Sequence, residues 1–205
     1  MDSYTFKPDL CFHARCWWQI DGARIAEGAW HAAVQHLAPL WVRFESGDGD
    51  DGWMRTEPEG ALEPSPRPPF RDVGILCPVL WFGVYQIHDL FSYEIRPAYF
   101  GATNGLWPKL EYVMSKDFGY VGMSGSPQAA GTENAPLWSI DGLDPRHLEV
   151  GQRKSNLLLF DPAGAAVRRY KQFGRPYLAT HQGRRGALSL QVIGHPVPPH
   201  PRPLE

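Results

Sequence analysis

Two neighbouring apolar runs carry the clearest structural pattern in this sequence, VLWFGVYQIH at residues 79–88 and FSYEIR at residues 91–96. Both are rich in the β-branched and aromatic residues that strands favour, and Pro97 follows the second run. They predict either two central strands joined by a turn near Asp89 or one long strand broken at Gly83. In both cases we expect a sheet at the centre of the fold.

Alternating apolar residues predict further strands on both sides of this centre. Residues 10–20 place Phe12, Ala14, Cys16 and Trp18 on one face of a half-buried strand. Near the other end, residues 156–160 and 165–170 flank the turn tetrad DPAG, which predicts a hairpin. Residues 187–193 predict a final strand that is mostly buried.

Two segments have helical features. Apolar residues recur at helical spacing from residue 23 to residue 38, where Ile25, Ala29, Ala33 and Leu37 share one face. A second, shorter helix is expected to begin near Pro108 and end near residue 116. The predicted fold class is therefore α+β, with a mostly antiparallel sheet, one longer N-terminal helix, one short middle helix and many loops.

Composition predicts where the folded domain is interrupted and where it ends. Residues 45–70 are acidic, glycine-rich and then proline-rich, which is typical of a long exposed loop. Residues 195–205 contain five prolines and predict an extended tail. We therefore expect one domain over residues 1–194.

The overall composition restricts the class of protein. The chain has 205 residues, of which 43% are hydrophobic and 20% charged, a mixture that can bury a core. Three cysteines do not make a disulfide scaffold. The sequence has no apolar run long enough for a membrane span and does not start like a signal peptide, so a cytoplasmic protein is expected.

Charge is strongly polarised along the chain although the net charge is only −2. Residues 1–66 carry five basic and eleven acidic residues, whereas residues 146–205 carry ten basic and three acidic residues. A region that carries mostly one sign of charge selects partners of opposite charge. This does not apply if the acidic and basic ends of the chain pack together and their charges cancel.

Two local patterns are candidates for catalysis or metal binding. Cys11, His13 and Cys16 lie close in sequence, but a strand would direct Cys16 away from the other two, so no metal or other cofactor is expected. The segment GMSGSP at residues 122–127 resembles the nucleophile segment of chymotrypsin-like serine proteases. This resemblance implies Ser124 as nucleophile, the amides of Gly122 and Ser124 as the oxyanion hole, and either His88, next to Asp89, or His31 as the base. The polar residues that follow do not fit that family, so an enzyme is not the favoured interpretation.

The last third of the chain offers an alternative function. Its cations alternate with aromatic residues, as they do on surfaces that bind nucleic acids. The candidate contacts are Arg168, Arg169, Lys171, Arg184 and Arg185. The acidic first third opposes this interpretation because it would repel phosphates if it lay nearby.

The favoured interpretation is a protein that binds another protein. An acidic loop with one large aromatic residue suits docking to a basic protein surface. The residues expected to make this contact are Asp48, Asp50, Asp51, Trp53 and Glu57. In size, composition and loop-rich, tryptophan-containing character, the chain resembles the immunity proteins that neutralise bacterial polymorphic toxins. This resemblance implies that the chain binds and occludes a cognate toxin or effector.

Overall fold

The computed structural model describes residues 4–26, 28–44, 51–65, 74–98, 112–115, 119–124 and 136–195. Short 3₁₀ turns occur at Pro8–Leu10, Val34–His36 and Pro145–His147. None of the helices in these ranges is long and apolar enough to cross a membrane. The strands, in chain order, are β1 (Thr5–Phe6), β2 (Phe12–Gln19), β3 (Leu37–Phe44), β4 (Arg55–Thr56), β5 (Ile75–Cys77), β6 (Val79–Ile87), β7 (Leu90–Ala98), β8 (Tyr112–Ser115), β9 (Val121–Ser124), β10 (Ser139–Asp141), β11 (Arg153–Phe160), β12 (Arg168–Gln172), β13 (Arg175–Ala179), β14 (Arg184–Arg185) and β15 (Ala187–Gly194).

Six antiparallel strands curl around the core. One edge of β2 pairs with β15, which pairs with β11, and β11 pairs with β10. The other edge of β2 pairs through residues 12–15 with β6, and β6 pairs with β7. Tyr93 of β7 exchanges two backbone hydrogen bonds, each 2.8 Å long, with Trp138, which precedes β10. This bridge joins the two ends of the curled part of the sheet.

The inner face of the curled sheet is apolar because alternate residues of each strand point inward. Phe12 of β2 stacks on Phe82 of β6 with 4.7 Å between the ring centroids. Tyr93 meets both rings edge-on at 6.4 Å. The same core cluster also includes Met54 and Leu178, so it extends beyond the curled strands.

β3 continues the sheet outside the curled part. Its first residues pair with β2, its last residues pair with β5, and its other edge pairs with β4. The order then runs from β4 through β13 and β12 to β14. We call β3, β4, β13, β12 and β14 the side sheet. The β8–β9 hairpin adjoins it through two bridges, Trp53 to Gly122 and Tyr120 to Ala179.

The predicted α+β class is wrong, because the described part of the chain is mostly β and contains no α-helix. Residues 23–26 and 28–36 form an irregular strap, and the last two residues of the expected long helix, Leu37 and Ala38, begin β3. The expected short middle helix is wrong for Tyr112–Ser115, which forms β8, while residues 108–111 and 116 lie outside the described ranges.

The strap is not helical because of its backbone and its packing. Gly28, inside the strap, has a φ angle of 79°, in the left-handed region that a right-handed helix excludes. Ile25 and Trp30 are buried against the outer face of the sheet, where the rings of Trp30 and Trp17 meet edge-on at 4.9 Å. The apolar spacing therefore serves a segment that crosses the sheet rather than a helix.

The exposed loop predicted at residues 45–70 is wrong for its middle. Residues 54–57 are buried, and β4 lies between β3 and β13. Met54 joins the core, while Arg55 lies among aromatic rings on the opposite face. Residues 45–50 and 66–70 lie outside the described ranges, as do residues 196–205 of the predicted tail.

Several predicted strands are confirmed. The central apolar runs form two strands, β6 and β7, joined by a turn at His88 and Asp89. Strands β2 and β15 coincide closely with the runs predicted at residues 10–20 and 187–193. The turn at residues 161–164 is also present, with a 2.8 Å hydrogen bond from Gly164 N–H to the Asp161 carbonyl. The predicted hairpin is short, because after Ala166 the chain leaves β11 and pairs with β13.

Candidate docking face

The outer face of the side sheet carries a row of aromatic and basic side chains. Trp41 of β3 lies opposite Arg55 of β4, Arg55 lies opposite Tyr177 of β13, and Tyr177 lies opposite Tyr170 of β12. Because directly opposite residues project from the same face, the row crosses four strands. The Arg55 guanidinium carbon lies 5.4 Å from the Trp41 ring centroid and 4.8 Å from that of Tyr177.

One end of this row is buried. Arg55 forms an ion pair with Glu57, and each of these residues is 6% exposed. The indole N–H of Trp41 donates a 2.9 Å hydrogen bond to the Glu57 carbonyl. These groups stabilise the sheet and are not available to a partner.

The other end of the row is open and aromatic. Tyr120 lies beside Tyr170 and Tyr177, with centroid distances of 6.1 Å and 5.6 Å. Trp53 meets Tyr120 edge-on at 5.5 Å, and the His181 ring lies 5.4 Å from it on another side. Trp53, Tyr120 and Tyr170 are half-buried and His181 is exposed. We call this open end, together with the β12–β13 hairpin, the docking face.

The tyrosines of the docking face are held in place by neighbouring polar groups and close packing. The Tyr120 hydroxyl hydrogen-bonds to Gln172 of β12. Desolvation and then the adjacent Tyr170 raise the pKa of Tyr120 above its ordinary value, so its hydroxyl stays protonated. Gly119, at φ 72°, makes room for His181, since a Cβ there would lie 2.8 Å from the imidazole Nδ1.

The tip of the β12–β13 hairpin projects a phenylalanine into solvent. Gln172 pairs with Arg175, so the loop has two residues, Phe173 and Gly174. Their φ angles are 48° and 77°, as in the two-residue turns that match the twist of a hairpin. Phe173 is 94% exposed. The aromatic ring at this tip is therefore free to enter a pocket on another molecule.

The predicted basic cluster is divided between two faces of the sheet. Arg169 points to the inner side, where it donates to the Thr56 hydroxyl at 2.7 Å and pairs with Glu59 at 2.5 Å. Lys171 also pairs with Glu59, at 2.8 Å. Arg168 lies on the outer face in line with Tyr170, directly opposite Arg185 of β14. Arg184 is opposite Arg169 and lies 3.5 Å from Asp21.

The residues of the predicted acidic docking segment lie in different environments, and only some of them are described. Asp48 and Asp50 lie outside the described residues, and Asp51 is half-buried. Glu57 is buried with Arg55 rather than exposed, because β4 is an internal strand of the side sheet. Trp53 packs back on the domain through its bridge to Gly122, and its ring forms part of the docking face.

The local backbone does not reproduce the predicted nucleophile loop. Ser124 ends strand β9 opposite Tyr112, and its side chain lies outside the described part. Met123 N–H donates to the Gly52 carbonyl, so strand alternation turns the amides of Gly122 and Ser124 toward β8 instead of toward a substrate. His88, the candidate base, is exposed at the β6–β7 turn.

The candidate metal ligands are also separated. Cys16 belongs to the inner core, whereas Cys11 packs with Trp81 in a second cluster on the other face. Within the described ranges, no group of three or more histidine, cysteine or acidic residues is placed to hold a metal ion.

The sequence pattern indicated the aromatic and basic residues of β12 and β13 but not the residues that complete the face. Tyr120 and His181 come from separate segments that meet only through long-range pairing. The Phe-Gly pair between two polar β segments was the available signal for an exposed tip. No family model matches the chain, and comparisons with curated proteins and solved structures also find no match.

Proposed function

We propose that this chain is a cytoplasmic binding protein that docks a protein partner through the docking face. Its resemblance to immunity proteins suggests the biological role, which is to bind a bacterial toxin or effector and occlude its active site. Phe173 is the anchor residue of this complex. The half-buried aromatic rings around Tyr120 form the surface beside the anchor.

Phe173 is the observation that carries the proposal. An exposed phenylalanine forgoes the roughly 1.5–3 kcal/mol that burial of its side chain supplies. Its positive φ costs a further 1–2 kcal/mol, roughly, because the residue has a Cβ. Both costs fall on one residue, at the most protruding point of a hairpin. Burial in a partner's pocket would recover the first cost and explain why the residue is an aromatic one.

The surroundings of Phe173 support a protein partner. Trp, Tyr and Arg are the residue types that dominate binding energy at protein interfaces. The docking face presents all three types within one patch, including Trp53, Tyr170 and Arg168. Aromatic rings held by hydrogen bonds and close packing lose little conformational entropy when they bind.

The first prediction separates binding from folding by means of Phe173→Asn. Asparagine favours positive φ, so this variant should be as stable as the parent or up to about 1 kcal/mol more stable. It should nevertheless lose binding by about tenfold or more, because the apolar anchor is gone. The measurements are thermal unfolding and capture of partners from lysate of the source organism, followed by titration with the purified partner.

The matched control is Leu90→Asn, which changes another exposed apolar residue next to a hairpin turn. The control should retain the partner. The proposal is supported if one protein is captured in stoichiometric amount after nuclease treatment and if this capture requires Phe173. Co-expression of the chain should also abolish the toxicity of the captured protein. Equal capture by Phe173→Asn and the parent chain, or capture that nuclease abolishes, would contradict it.

A further inference from the structure

Two arginine pairs lie directly opposite each other between β12 and β14. Arg168 faces Arg185, and Arg169 faces Arg184. Directly opposite residues in antiparallel strands have Cβ atoms about 4.5–5.5 Å apart, and like charges at this separation destabilise the sheet. Negative charge near each pair would therefore stabilise this part of the sheet.

Among the described residues, only the pair Arg169–Arg184 has acidic side chains beside it. Arg169 is bonded to Glu59 and to the hydroxyl and carbonyl of Thr56, and Arg184 has Asp21 at 3.5 Å. The second pair differs. The Nε of Arg168 is buried without an acceptor, and Arg185 is exposed, with no carboxylate paired to either among the described residues.

We propose that Arg168 and Arg185 form a binding site for one oxyanion, and that the protein partner supplies it as the carboxylate of an acidic side chain. The identity of the supplier rests on the proposed function, whereas the site itself can be tested on the free chain. Two guanidinium groups can donate several charge-assisted hydrogen bonds to one carboxylate. The anion would also remove the repulsion between the two arginines.

The position of the pair favours a partner that already contacts the docking face. Arg168 and Tyr170 are two residues apart on one strand, so they project from the same face. Tyr170 in turn lies 6.3 Å from His181 and 6.1 Å from Tyr120, between ring centroids. A partner that covers these rings would exclude water from the arginine pair, which strengthens a charge-assisted hydrogen bond.

The arrangement of charges favours one anion over a nucleic-acid backbone. Nucleic-acid binding depends on a row of cations that neutralises many phosphates. Here Arg169 and Lys171 project from the other face of β12 and share Glu59. Arg184 also projects away from Arg185, because neighbouring strand residues alternate. Of the five cations expected to contact nucleic acid, only Arg168 and Arg185 therefore share the outer face with the aromatic rings.

The test on the free chain uses inorganic phosphate as the probe. Thermal unfolding is followed as phosphate replaces chloride at constant ionic strength, in the parent chain and in two variants. Arg185→Gln removes one member of the proposed site, and Arg184→Gln is the matched control one residue away. In chloride, Arg185→Gln should unfold at the same temperature as the parent or higher, because a repulsion is removed.

With phosphate, the unfolding temperature should rise more in the parent and in Arg184→Gln than in Arg185→Gln, because general stabilisation by phosphate is common to all three proteins and binding at the pair adds to it. An equal rise in all three proteins, or no rise in the parent, would overturn the anion site. With the purified partner, Arg185→Gln should weaken binding about tenfold or more. Unchanged partner affinity in Arg185→Gln would overturn the assignment of the anion to the partner. Tight, steeply salt-dependent binding of single-stranded RNA at this pair would overturn it too.

These outcomes are distinguishable from failure of the proposed function. If Phe173→Asn retained the partner, the proposed docking mode would fail while the phosphate response of the free chain would be unaffected. If Phe173→Asn lost the partner but phosphate had no effect, only the anion site would fail.

Discussion

Burial determines the charge state of His13. This residue lies on the outer face of β2 opposite Trp81 of β6, and it is 6% exposed. Burial, and then the nearby His195, lower the pKa of His13 to about 4. The imidazole is therefore neutral in the folded chain at neutral pH, although histidine is often charged just below that pH.

We expect the folded chain to lose stability as the pH falls from about 6.5 toward 4. The folded-state pKa of His13 is depressed, so in this range the unfolded chain binds a proton that the folded chain does not. The stabilisation is complete above the unfolded pKa, and the loss reaches roughly 2 kcal/mol at about pH 5. Urea unfolding near neutral pH and near pH 5 measures it, with His13→Gln as the comparison. An equal loss in His13→Gln and the parent would argue against this assignment.

At the scale of elements, the contact between β2 and the start of β15 depends on Gly186. A Cβ on Gly186 would lie 2.3 Å from Nε1 of Trp18 and 2.4 Å from the Gln19 carbonyl oxygen. Trp18 is 1% exposed and belongs to the core, so its ring cannot move without disturbing the packing. Glycine is needed here because a side chain would not fit, and not for its backbone conformation, since its φ is not in the left-handed region.

Gly186→Ala should therefore lower the free energy of unfolding by about 1–3 kcal/mol or more, the usual cost of forcing extra volume into a packed region. Gly194→Ala is the matched control, since it lies at the other end of β15 and a Cβ added there would meet no atom within 4 Å. The control should be neutral or slightly stabilising. Chemical denaturation of both variants measures the difference, and similar stabilities would contradict the proposed steric requirement.

At the scale of the whole molecule, one apolar core connects the curled strands with the side sheet. Cys16 and Cys77 lie in this core, and Cys11 lies in a second buried cluster on the outer face. Burial raises the pKa of the Cys11 thiol to about 11 and raises that of Cys16 still further. The reactive thiolate is therefore scarce at Cys11 and Cys16, and the thiols of all three cysteines are buried.

We expect the native chain to react very slowly with a soluble thiol reagent near neutral pH. All three thiols should become reactive over the same range of urea concentration in which tryptophan fluorescence changes, because the core unfolds as one unit. Labelling followed by mass spectrometry at each urea concentration tests this expectation. Reaction of Cys16 or Cys77 before the fluorescence transition would show that the core is divided into independent parts.

The strands β2, β6, β7 and β15 could be predicted because their evidence is local. Alternation identifies the inner residues of a strand without reference to its partners. The strap was assigned wrongly because helical spacing does not determine whether a segment is helical. Asn156 of β11 holds the strap by accepting from the Ile25 amide at 3.0 Å and donating to its carbonyl at 2.9 Å. These contacts span 131 residues of sequence.

The candidate site was only partly predictable, for the same reason. Composition alone identified the cations and rings of β12 and β13, but the register with β14 makes Arg168 and Arg185 opposite neighbours. Glu57 was expected to be exposed because its segment is acidic and rich in glycine and proline. Its burial follows from the pairing of β4 with both β3 and β13, which places Arg55 between aromatic rings.

By itself, the sequence determined the apolar alternation of the main strands, the turns and the polarised charge, because each of these depends on residues close together in the chain. The tertiary structure alone decided which strands pair, which rings surround Tyr120 and which arginines lack an acidic neighbour among the described residues. Those outcomes depend on the register between strands that are distant in sequence. A shift of one residue in that register would move every side chain of a strand to the opposite face.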